Sequence, residues 1–339
     1  MMASFSLTKK IGSLLLLLAV SSPMTRANDM TKFNWLASES APHHFPMQIM
    51  RGSSFRYHGS ETDGLYIPSG GTLYRGWGNS ISTHVVGADL KPLPDQLDIT
   101  FYSYMEDTFY EGTFDLPYER ILNLFREGVE ADKNNPLYRR VTVGIAPGGS
   151  VAVWLTGRKT VEVFFGKAKK TERDWSKAMQ YPESKRAEFI KAEVEESVRP
   201  DVLAAIHKNG IPFDQWAQFR TKYQWSPTFV TERLPKDNNI RYFNGETEDL
   251  HFPLSDSAIK AMKPVPKRLA FNSLIKGRDK LDVFVIMFDQ DEMLSAFKKL
   301  GCNGEQLHLE FSPTLPKPDT KIRLYNDKES IALTKWVVE

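Results

Sequence analysis

Residues 138–167 constrain the fold more than any other stretch. They read YRRVTVGIAPGGSVAVWLTGRKTVEVFFGK. Val141, Val143 and Ile145 share one parity, Val151, Val153 and Leu155 a second, and Val161, Val163 and Phe165 a third. A period of two puts each trio on one face of a strand. The breaks fall at Pro147-Gly148-Gly149 and Gly157-Arg158-Lys159. Glycine supplies the positive φ that tight hairpin turns need, so the stretch predicts a three-stranded antiparallel meander. The same glycines invite a phosphate-cradle reading. A cradle needs a helix after the glycines, and here the β-rich run SVAVWL follows.

The elements around the meander read as mixed. A first strand is expected over 45–50 and a stronger one over 97–104. In the latter, Leu97, Ile99 and Phe101 share one face, with Tyr102 and Tyr104 on the other. Pro117 opens a helix whose Tyr118, Ile121, Leu122, Phe125 and Val129 form one apolar face, with Asp115 near the N-cap. A helical pattern covers 183–208, with Pro200 kinking it or starting a second helix. Trp216, Phe219 and Tyr223 keep helical spacing, and 263–267 form an extended joint. The run 281–288, LDVFVIMF, is apolar on both parities and predicts a central strand covered on both faces. Asp289 suits a helix start, and strands are expected over 307–311, 321–325 and 330–338. No internal repeat is evident. The fold class is α+β: mostly antiparallel β-sheets with a few amphipathic helices packed on them. The division expected is a β-rich domain with helices over 28–225 and a C-terminal α+β segment over 226–339, which can pack with the first as one unit.

Charge excludes some partners. The 339 residues carry 44 basic and 42 acidic side chains, so no global field points to nucleic acid. Lys9 and Lys10 precede the apolar run 11–20, and a small residue, Ala27, stands at the exit. This pattern predicts a secretory signal peptide over 1–27 and release into the periplasm. The run is too short for an ordinary membrane span, so no transmembrane segment is expected in the mature chain. No cysteine follows it, as lipid anchoring would require. Cys302 is the single cysteine, so no intramolecular disulfide can form.

The chemistry-bearing candidates are few. Trp77, within RGWGNS, can fold over a sheet edge or stand exposed as a binding anchor. Tyr102, Tyr104, Glu106 and Asp107 lie beside one another in sequence and are the remaining candidate binding residues. Glu106, Asp107 and Glu111 open the alternative of a carboxylate-dependent envelope hydrolase or sugar-binding protein, which needs two carboxylates converging in a cleft. A solvated loop is the plainer reading of the same residues. Adjacent His43 and His44 would point to opposite faces of a strand and chelate poorly. The sequence shows no Cys/His metal spacing, nucleophile elbow or dinucleotide fingerprint. No catalytic residue, metal or cofactor is therefore assigned.

PSGGTLYRGWG, LPDQLDITFYSYMEDTFYEGTFDLP, a helix and YRRVTVGIAPGGSVAVWLTG follow one another in that order. The order resembles the bacterial family catalogued as domain of unknown function 2931. The resemblance is strongest over 45–175 and continues through FRTKYQW and the NGE of Asn244 to Glu246. It implies a secreted, often lipid-anchored envelope protein of Gram-negative bacteria with no established enzymatic activity. It offers no catalytic residues to carry over. Some related envelope proteins stand beside secretion-system toxin genes, so the resemblance implies a protein partner such as a secreted toxin. The expectation is a non-enzymatic periplasmic protein that binds a partner as an immunity-like factor, with a structural envelope component as a further alternative.

Overall fold

The structure, a computed structural model, describes residues 30–231, 233–275 and 279–339. The signal peptide expected over 1–27 lies outside the described residues. The chain is α+β, with mostly antiparallel sheets and short helices.

The meander forms, but the period of two fails in its third strand: a bulge opposite Val153 and Trp154 leaves Val161 and Val163 in one core and turns Phe165 to another. Strands Tyr138–Ala146, Ser150–Gly157 and Val161–Lys167 pair antiparallel. Gly148 and Gly149 turn the first hairpin at φ +69° and +73°, conformations that suit glycine. A fourth strand, Leu36–Ser40, joins in parallel with Tyr138–Ala146. Periodicity gave no signal for it, because Ser38, Glu39 and Ser40 are polar yet buried. Ser40 explains how burial is tolerated: its Oγ donates to the Gly76 carbonyl at 2.8 Å and accepts from the Gly78 amide at 2.9 Å.

A second sheet faces the first. Its axis is the long hairpin of Pro94–Ser103 and Thr108–Asp115, flanked by Ser54–Tyr57, Gly64–Tyr66 and Lys169–Thr171. Leu97, Phe55, Val143 and Val153 meet in the core between the sheets. Helix Tyr118–Ala131 adds Ile121, Leu122 and Phe125 to that core. Its N-cap is Pro117 rather than Asp115, and no side chain caps it.

The same arrangement then occurs a second time. Strands Lys222–Phe229, Leu307–Ser312, Lys321–Tyr325 and Ser330–Leu333 make a third sheet in the order of the first, with Met262–Pro264 added at its edge. Again the first strand runs parallel to the strand after the helix. A fourth sheet repeats the order of the second, as Thr247–His251, Asp237–Tyr242, Pro266–Leu274, Leu281–Phe288, Trp336–Val338, without a counterpart of the Met47–Ile49 strand that also pairs with Pro94–Ser103. Helix Gln290–Leu300 takes the place of Tyr118–Ala131.

Side-chain contacts match between the two units. Trp35 Nε1 donates to the Pro92 carbonyl and Lys91 Nζ to the Trp35 carbonyl. Trp225 Nε1 likewise donates to Pro264 and Lys263 Nζ to Trp225. Phe33 packs on Phe125 at 5.3 Å, and Tyr223 on Phe297 at 5.5 Å. Trp35 meets Tyr57 edge-on at 6.3 Å, and Trp225 meets Tyr242 at 6.4 Å. The protein is thus a tandem duplication, residues 32–171 and 222–338, joined by the helices Trp175–Met179, Arg186–Ser197, Pro200–Asn209 and Gln215–Gln218. This corrects the reading that the sequence holds no repeat. What survives in letters is little more than Lys-Pro-x-Pro (91–94, 263–266) and Lys-aromatic-x-Trp (32–35, 222–225).

Other expectations change as well. The strand Leu281–Phe288 is covered on one face only, since Leu281 and Val283 are more than half exposed. The helical pattern over 183–208 divides at Pro200, which starts the second helix. Tyr223 stands on a strand, not on the short helix that carries Trp216. The last strand splits, its halves serving the third and fourth sheets.

Candidate functional site

The five residues singled out from sequence do not form one site. Trp77 is buried, edge-on to Trp154 at 4.8 Å. It therefore folds over the meander instead of standing exposed. Tyr102 and Tyr104 are also buried, in a small core with Trp175 beneath the connecting helices. Burial, followed by the hydrogen bond to Asp107, raises the Tyr102 phenol well above its ordinary pKa. Glu106 accepts from the Tyr110 hydroxyl at 2.6 Å and from the Gly148 amide at 3.0 Å, tying one hairpin to another. Asp107 sits in a turn at φ +47° and pairs with Arg186 at 2.6 Å. Glu111 pairs with Arg173 at 3.0 Å. Each carboxylate thus has its own structural partner. Among the described residues, no group of three or more His, Cys, Asp or Glu side chains could hold a metal, and no helix is long and apolar enough to cross a membrane.

A different site emerges at the seam between the repeats. The turn at Asn244 and Gly245 of the second repeat docks on the Trp77-Gly78 loop of the first. Trp154 Nε1 donates to the Asn244 carbonyl at 3.0 Å, locking the seam from the other side. A Cβ on Gly78 would stand 2.6 Å from the Gly245 Cα, so neither residue can carry a side chain.

Beside this contact opens a cleft of about 490 Å³. Five cations line it: Arg140 and Arg158 from the first repeat, and Arg241, Lys267 and Arg268 from the second. No acidic side chain lines it. Arg158 is paired with Asp132 at 3.2 Å, and Arg268 donates to Asn239 Oδ1 at 3.0 Å. Among the described residues no carboxylate pairs with Arg140, Arg241 or Lys267. Arg140 Nε and Trp77 Nε1, both on the cleft wall, are buried donors without acceptors. Burial, then the Arg241 charge, lowers the Lys267 pKa, and the same two causes act on Arg268. His43, at the rim, is lowered by burial and then by Lys267. A cleft of like charges with unmet donors is chemically an anion acceptor.

The duplication shows that this charge is not inherent in the scaffold. Register matches Arg56 to Arg241, Asp95 to Lys267, Gln96 to Arg268 and Asp98 to Ala270. In the first repeat the acids have partners of their own, with Arg56 on Asp98 and His58 Nδ1 at 2.8 Å from Asp95. In the second, both acids are gone and two cations have been gained. Sequence reasoning missed the cleft because its cations are spread from 140 to 268, and only the fold brings them together.

No match was found among curated proteins or among solved structures. A family model described as "Protein of unknown function (DUF2931)" matches residues 21–214, which hold the whole first repeat and most of the connecting helices. The match covers more than half the chain, and the chain belongs to the DUF2931 family.

Proposed function

We propose that this protein is a secreted, non-enzymatic binding protein of the bacterial envelope, and that the basic cleft at the repeat seam is where it takes up an anionic ligand or an anionic segment of a partner. The observation that carries the reading is the unbalanced charge of Arg140, Arg241 and Lys267, walled by backbone and buried aromatics. The apolar run behind Lys9 and Lys10 supports secretion. In the immunity-like version the anion is an acidic loop of a toxin. Thermal unfolding with and without a panel of anions at low salt tests the reading. Inorganic phosphate, sulfate, tripolyphosphate and a hexaglutamate peptide serve as probes. At least one should raise the midpoint by several degrees, and the shift should shrink as salt is added. A midpoint that no anion moves sinks it.

A further inference from the structure

The cations of the cleft stand on two separate walls. Arg140 belongs to the meander of the first repeat, at the position His308 holds in the second. Arg241 and Arg268 face each other across two strands of the fourth sheet, with Lys267 adjacent. Resting on the reading just given, the geometry points to a small ligand that carries at least two phosphate-type groups, one held by Arg241, Lys267 and Arg268 and the other by Arg140.

Three arguments fix this chemistry. First, three neighbouring cations that form no ion pair with a carboxylate, Glu339 acting on Arg268 only through its charge, are best neutralised by a group of charge near −2, which a phosphate supplies and a single carboxylate does not. Arginine forks bind such oxygens in pairs. Second, Arg140 is one unpartnered cation on the opposite wall of the same cleft, so one anionic group at the triad leaves it unanswered. Third, the cleft volume suits a small molecule, and Arg140, Lys267 and Arg268 are half-buried in its walls, with Arg241 exposed beside them. An acidic protein loop would instead favour cations on an open surface.

The duplication supplies the control variant. Lys267→Asp, Arg268→Gln and Ala270→Asp restore the residues that the first repeat carries at the matching positions, and that repeat folds with them. Arg140→Gln keeps a polar side chain of similar reach. Calorimetric titration of the full chain compares inorganic phosphate, tripolyphosphate and hexaglutamate at one ionic strength, with unfolding curves to confirm that each variant is folded.

Tripolyphosphate is expected to bind at least about tenfold tighter than phosphate. Arg140→Gln should erase most of that difference, lowering tripolyphosphate affinity far more than phosphate affinity. The triple variant should bind neither probe. Vesicles containing cardiolipin separate a lipid-borne pair of phosphates, which would sediment the protein, from a free one, which would not. Either result keeps the two-phosphate assignment and names its source. Equal affinity for phosphate and tripolyphosphate would overturn the bridging ligand and leave the anion-binding reading standing. Tightest binding of hexaglutamate would overturn it in favour of a protein segment. Binding of no probe removes both proposals.

Discussion

Gly78 and Gly245 touch backbone to backbone, each at positive φ, and through them the two repeats of the chain come into register. A methyl group on either would collide with the other's Cα, and the left-handed backbone would be strained besides. Gly245→Ala should therefore lower the unfolding free energy by about 2 kcal/mol or more. Denaturant unfolding checks this. A change within about 0.5 kcal/mol would mean that the seam is slack.

The cleft should weaken the empty protein. Lys267 is held among like charges and partly withdrawn from water. Lys267→Met removes the repulsion and keeps the bulk, so the ligand-free protein should gain about 1 kcal/mol at low salt. The gain should shrink when sulfate is present at a concentration that fills the wild-type site. Loss of stability at low salt would show that the ammonium has a partner after all.

A pH response is expected at Glu162. Burial, opposed by the Arg220 ion pair, raises its carboxyl to about 7. The folded state then holds a proton that the unfolded chain, near pKa 4.5, has already released. The stabilisation is fully present below the unfolded pKa and is lost as pH rises through about 7. The expected fall is on the order of 3 kcal/mol across that window. Glu162→Gln should flatten the profile, which urea titrations at a series of pH values will show. An unchanged slope in the variant would place the titration elsewhere.

Glu106 is predicted to be a tie between hairpins. Glu106→Ala leaves the Gly148 amide and the Tyr110 hydroxyl without their acceptor and should cost about 1–3 kcal/mol. Glu106→Gln can accept from Gly148 and donate to Tyr110, so it should cost less than about 1 kcal/mol. Equal losses in the two variants would show that the negative charge itself matters.

These cases also explain what was legible in the residues alone. The meander was, because three short runs between Val141 and Phe165 alternate and glycines stand where the hairpins turn, although the bulge in the third run was not. Asp289 was too, since a cap is a local device, and it does accept from the Glu292 amide at 2.9 Å. Leu36–Ser40 was not, because a buried strand of serines depends on partners some distance away in sequence. The duplication was hidden because its two units keep a common parity of apolar positions but few common letters. Trp77 drew attention as an aromatic between glycines. Its surroundings could not be read, since Trp154 and Gly245 reach it only through the fold. The cleft is the extreme case: it is a difference between two repeats, and no single window of sequence contains it.

The parallel pairing of Leu36–Ser40 has a consequence for how the chain is made. Leu36 lies opposite Arg140, so a chain that emerges N-terminus first must keep this strand unpaired while roughly 100 further residues follow. The second unit repeats the delay, since Trp225 waits for Leu307. Each half can close only after its own helix has appeared, so the two halves mature one after the other. For an interval the finished first half presents its docking loop to a partner that does not yet exist. Ribosome-stalled or truncated chains ending before residue 240 should therefore expose Trp77 and Trp154 and need a chaperone to stay soluble, whereas the complete chain should not.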